Sequence, residues 1–230
     1  MTMTGWHFLA DPDRLRDGTP TPGVGVKLRI EGEPVLCQHG FHASRRPLDA
    51  LRYAPGPWLC RVRLSGLVVA DTDKCVATER TILQGPVDVS RELRLFACDC
   101  AEEVLPIFER AYPGDTRPRD AIAVARRYAE GQDTKEEMAA AWAAACAAAR
   151  VARDAASAAA SGAARAAARA AKAAASGAAW DASWHTASAA AWDASSPTWA
   201  AAWAAQNRWL GRVFRAALEG KPPGEPSHAH

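Results

Sequence analysis

The chain has 230 residues, 49% hydrophobic and 23% charged, with a formal net charge of +2. That length allows one or two domains with a sizeable core, and the charge is too small to imply nucleic acid by itself. Arg150, Arg153, Asp154, Arg165, Arg169 and Lys172 interrupt the apolar runs below the ~20 residues of a membrane span, and Met1 to Phe8 lacks the basic and apolar regions of a secretory signal.

Strand grammar comes first. Gly5 to Leu9 is short, aromatic and ended by Asp11-Pro12, and a Gly-, Pro- and Thr-rich loop runs from Asp17 to Gly25. Val24 to Ile30 alternates apolar and basic residues, as a half-buried strand does. Glu31 to Pro34 turns the chain into Val35-Leu36-Cys37. Pro47 to Ala54 predicts a short helix, with Ser44 placed to cap it and Leu48 and Leu51 on one face. Trp58 to Leu64 and Leu67 to Ala70 read as strands around Ser65-Gly66, and another covers Lys74 to Leu83.

From Ser90 the period changes to 3.6. Leu93, Phe96, Ala97, Cys100, Val104, Leu105 and Phe108 form a stripe, with a kink expected at Pro106. Pro118 suits the first turn of a second helix, which Gly131 stops. Thr134 to Glu137 is a capping box that opens a long alanine helix. Gly162 and Gly177 weaken that helix and predict breaks. Between Ala139 and Ala205, 38 of 67 residues are alanine and six of the nine tryptophans fall there. Pro197 restarts a last helix, and a Pro- and Gly-rich tail follows Gly220. The fold class is therefore α+β: a small sheet domain with one helix (residues 1–90), an alanine- and tryptophan-rich all-α bundle (91–219) and a flexible tail (220–230).

Two resemblances rest on particular residues. Cys37, Gly40-Phe41-His42-Ala43-Ser44, Pro47-Leu48-Asp49-Ala50-Leu51 and Tyr53, then Asp73-Lys74 and Val76-Ala77-Thr78, resemble a domain family common in bacteriophage genomes. Leu95 to Glu102, then Pro113-Gly114-Asp115 and Arg117-Pro118-Arg119 with Ala121-Ile122, then the alanine helix, resemble an immunity-protein family of polymorphic toxin systems. Together the resemblances imply a helical interaction domain joined to a phage-type domain, and neither carries a catalytic residue over.

The favoured function is a non-enzymatic protein-interaction module, a phage accessory or immunity-like factor that binds and occludes a partner protein. Trp180, Trp184, Trp192, Trp199 and Trp203 are its candidate anchors, since aromatic side chains on a rigid helix make good hot spots. Homo-oligomerisation through alanine faces is the other option. Arg165, Arg169 and Lys172, at i, i+4 and i+7, offer a basic face that would suit nucleic acid, or simply water. An alternative enzyme reading comes from order: His7, Ser44 with Tyr53, and Glu79 are similar to the sequence of roles in ADP-ribosyltransferase-like enzymes. That resemblance implies NAD, with His7 on the ribose, Tyr53 stacked on nicotinamide and Glu79 stabilising a cation-like transition state. Cys37, His39 and His42 have zinc-ligand spacing but no obvious fourth ligand, and Cys98 and Cys100 are a weaker thiol pair. No cofactor is expected. The six cysteines read as reduced thiols in a cytoplasm, the host cell's if the chain is phage-encoded.

Overall fold

In the computed structural model, which describes residues 2–154, 158–175, 185 and 197–221, the first strand already sets the layout of the sheet. Strand β1 (Met3–Leu9) pairs antiparallel with β4 (Trp58–Ala70), placing Gly5 opposite Val62 and His7 opposite Cys60. Alternation sends Gly5, His7 and Leu9 to one face and Trp6 and Phe8 to the other. Strand β4 forms a long antiparallel pair with β5 (Cys75–Asp88). The sequence predicts two strands where β4 is one, because the register shift between Ser65 and Val68 absorbs Gly66 as a bulge. Gly66 has φ +76°, and a Cβ there would collide with the Thr78 hydroxyl, so glycine is required.

Two short strands share the other edge of β5: β2 (Lys27–Arg29) beside Glu79 to Thr81, and β3 (Phe41–Ala43) beside Cys75 to Ala77. The residue after β3 then crosses to β1. Ser44 and Trp6 exchange two backbone hydrogen bonds, of 2.8 and 3.0 Å, so the edges of the sheet meet. Gly5 makes this approach possible, since a Cβ would lie 2.9 Å from both the Ala43 Cβ and the Ser44 carbonyl. Leu9, Ala43, Cys60, Val62, Leu64, Cys75, Ala77 and Ile82 fill the inside of this curled sheet. Ser44, predicted as the cap, lies two residues too early; helix α1 (Pro47–Arg52) starts after Arg46 with no side-chain cap and with proline in its first turn.

The chain divides into two compact units, Met1–Val89 with Asn207–His230, and Ser90–Gln206. A first domain that ends at residue 90, as the sequence suggests, thus lacks one element of this unit. Helix α6 (Pro197–Leu218) supplies it: Leu210, Val213 and Phe214 are buried, and the Phe214 ring meets Trp6 and Phe8 edge-on at 5.6 and 5.7 Å. The Asn207 side-chain carbonyl also accepts the Leu48 amide at 3.1 Å, at the start of α1.

In the second unit, α2 (Ser90–Ala111) buries the predicted stripe and runs on through Pro106. Helix α3 (Arg117–Ala129) begins with Pro118 in its first turn, and Gly131, at φ +78°, follows its end. Helix α4 (Lys135–Asp154) opens with the predicted capping box: Glu137 accepts the Thr134 amide at 2.8 Å, and the Thr134 hydroxyl accepts the Glu137 amide at 3.2 Å. Helix α5 (Ala158–Ala175) packs against α2, α3 and α4 and is the centre of the unit. Its alanines make this possible, because a helix without long side chains can accept three neighbours at close range. The break expected at Gly162 is not there; Gly162 is buried within α5, next to Ser161, whose hydroxyl donates to the Ala149 carbonyl of α4 at 3.0 Å. Gly177 lies outside the described residues.

Candidate interaction surfaces

On α5, Ala163, Ala164, Ala166, Ala167, Ala168, Ala170 and Ala171 are all buried, while Arg165, Arg169 and Lys172 are exposed. Among the described side chains of α5, from Ser161 to Lys172, the three cations therefore form the one outward strip and the rest are enclosed. Trp203 is half-buried on α6 and has an interaction partner. Trp180, Trp184 and Trp192 lie outside the described residues, and of Trp199 only its backbone position in α6 is described.

Among the described residues, Trp142, which the sequence does not single out, is the large aromatic that the helical unit leaves at its surface. It is 43% exposed, at the edge of the α4 row formed by Met138, Ala145, Ala149 and Ala152, and next to the exposed Ala139, Ala140 and Ala143. Val151 is exposed further along the same helix. Periodicity hides Trp142: Met138, Ala145 and Ala152 stand a heptad apart, and a tryptophan four residues after Met138 reads as core. A second surface missed in the sequence is cationic. Arg208, Arg212 and Arg215 repeat along α6 at the same i, i+4, i+7 spacing as the α5 cations, and all three are exposed.

The residues of the NAD reading fall in three separate places. His7 faces the inside of the sheet, where its Nε2 accepts a hydrogen bond from the Arg80 guanidinium at 3.0 Å. Burial, then the charge of Arg80, holds its pKa well below 6.5, so the ring is a neutral structural acceptor. Arg80 is only 6% exposed, covers the Phe41 ring at 5.0 Å, and burial depresses its own pKa to about 10. Glu79, next along β5, points the other way. It accepts from the Ser65 hydroxyl at 2.8 Å and from Lys27 at 3.2 Å, and these bonds lower its pKa. The Tyr53 hydroxyl donates to Asp73 at 2.5 Å, and Lys74 sits 4.5 Å from the centre of its ring.

The zinc-like spacing is spent on a turn. Cys37 has a left-handed backbone (φ 63°), its amide donates to His42 Nε2 at 3.0 Å, and its sulfur accepts from Lys74 at 2.7 Å. His39 bonds the Glu31 carbonyl at 2.9 Å instead. Cys98 and Cys100 are both buried, and burial pushes the Cys98 thiol up to about 12. Among the described residues no group of three or more His, Cys, Asp or Glu side chains is arranged to hold a metal ion. Among them, too, no helix is long and apolar enough to cross a membrane.

Family comparisons follow the same division of the chain. The model described as Imm-5 like putative immunity protein matches residues 88–210, which span the helical unit. A domain of unknown function (DUF7666) matches residues 22–89, most of the sheet and α1. No curated protein and no solved structure matches the chain. With more than half of its residues matched by the first of these families, and with the helices α2 to α5 lying wholly inside that match, the chain belongs to the Imm-5 like immunity protein family.

Proposed function

We propose that this protein is a non-enzymatic immunity-like factor whose helical unit binds a partner protein and occludes its working surface. Trp142 is the observation that supports this most directly. A tryptophan left 43% exposed beside an alanine face on a helix with few rotamers to lose offers a low-entropy anchor for a partner. The α5 strip of Arg165, Arg169 and Lys172 would suit acidic groups on such a partner, and charge of this kind speeds encounter more than it deepens affinity.

The test is a comparative capture. Tagged wild-type protein and Trp142→Asp are used as bait in lysate of the native cell, with urea midpoints measured for both. A protein retained in stoichiometric amount by the wild type and lost from an equally stable Trp142→Asp supports the reading. Equal retention by both, or retention by neither, removes it.

A further inference from the structure

A concave cleft of about 510 Å³ in the first unit is lined by six arginines. Arg45 and Arg46 precede α1, Arg61 comes from β4, and Arg208, Arg212 and Arg215 come from α6. Three separate parts of the sequence thus bring one kind of charge to one place, in a chain whose formal net charge is only +2. Arg46 is neutralised by Asp49, at 2.5 Å. The other five have no carboxylate within ion-pair distance among the described residues, and Glu219, one turn beyond Arg215, is itself held by Lys221 at 2.7 Å.

Arg61 shows how the cleft is built. Its guanidinium lies over the Trp6 ring at 4.4 Å, and one terminal nitrogen donates to the Thr4 hydroxyl at 3.3 Å. The other terminal nitrogen is buried with no hydrogen-bond partner. Burial and then the charge of Arg215 lower its pKa, so the cleft already strains to keep this guanidinium charged. Like charges gathered without a carboxylate in ion-pair contact cost stability, and a multiply charged anion between them reverses the sign of that cost. Guanidinium groups meet phosphate oxygens through paired, charge-assisted hydrogen bonds.

We infer that this cleft binds a compact anion of two or three linked phosphoryl groups, the polyphosphate portion of a nucleotide or of an inorganic polyphosphate. Its volume lies in the range of about 300–1,000 Å³ that holds small ligands. A nucleic-acid strand fits it less well. Trp6, the aromatic of the cleft, is 3% exposed and covered by Arg61, which leaves no face for a base to stack on.

Calorimetric titration of the full chain with tripolyphosphate, with a nucleoside triphosphate and with a thymidine oligonucleotide tests this. One tripolyphosphate per chain is expected, with affinity at least tenfold weaker in Arg208→Ala/Arg212→Ala, whose exposed side chains can be removed without disturbing the core. Arg61→Ala should weaken it further. Substituting Arg165, Arg169 and Lys172 together by alanine should leave it within about twofold, because those cations belong to the other unit and none of them lines the cleft. Tighter binding of the nucleoside triphosphate than of tripolyphosphate assigns the source as a nucleotide, and equal binding assigns it as the polyphosphate alone. No binding of either, binding only of the oligonucleotide, or equal weakening by the α5 substitutions overturns the inference.

Discussion

The ring of Phe214 meets the ring of Trp6 edge-on, 5.6 Å between centres and inclined by 61°, so a residue near the end of the chain packs against one near its start. Phe214 is fully buried and touches Phe8 as well. Phe214→Ala should therefore cost ~3–5 kcal/mol of stability, the penalty for emptying an aromatic site in a core. A fragment of residues 2–90 should lack a cooperative thermal transition and regain it when a peptide of residues 205–221 is added. A fully cooperative transition in the fragment alone would show that α6 is only an accessory to the sheet.

Close packing around α5 sets the second expectation. Ala167 is fully buried in a helix with neighbours on three sides, so Ala167→Leu has no free volume to enter. The overpacked chain should lose roughly 1–3 kcal/mol by urea denaturation, while Arg165→Ala on the outward strip should change stability by less than about 0.5 kcal/mol. Equal midpoints for the two variants would mean that α5 is not the centre of its unit.

Two histidines give the stability of the chain a pH slope. Burial is the main cause that lowers both His7 and His42 from 6.5, and His42 Nε2 must be unprotonated to accept the Cys37 amide. The unfolded chain binds more protons than the native one between 6.5 and those depressed values. The stability contributed by the neutral rings is therefore fully present above about pH 6.5 and is lost as the pH falls below it. The urea midpoint should be lower at about pH 5.5 than at about pH 7.5, and His7→Gln combined with His42→Gln should flatten that difference. An unchanged slope in the double variant would place the acid sensitivity elsewhere.

Thiol labelling separates the cysteines. Cys37 is exposed and Cys146 half-buried, whereas Cys60, Cys75, Cys98 and Cys100 are buried, with Cys60 pushed up to about 12. Only the thiolate reacts, so a native chain should label rapidly at Cys37, slowly at Cys146 and at the other four only on unfolding. Mass spectrometry of the labelled peptides reads this directly, and early labelling at Cys60 or Cys75 would contradict the closed sheet.

Local chemistry made much of this architecture legible. The Thr134–Glu137 box, Pro118 and Gly131 are short-range signals whose physics lies within four residues, and each sits where the sequence places it. Three features depended on distant residues. Strand β3 is three residues long and exists because β5 offers it an edge, so Phe41 to Ala43 shows no period of its own. Ser44 has cap chemistry, but its backbone pairs with Trp6 across the sheet and the helix begins only after Arg46. The arginine cleft gathers residues more than a hundred positions apart, and periodicity could have shown only its α6 row.

A unit whose core needs both Trp6 and Phe214 is interrupted in the chain by another complete unit. During synthesis the two therefore mature in the reverse of their order in the sequence. The sheet emerges first but waits, part of its apolar surface uncovered, while more than a hundred residues follow it. The alanine helices can meanwhile fold as soon as they are clear of the ribosome. Only when residue 218 has left the exit tunnel can α6 reach Trp6 and Phe8. For that interval the newborn chain leaves the Trp6 and Phe8 face of the sheet uncovered, and transiently exposed apolar surface of this kind is what makes incomplete chains prone to aggregate.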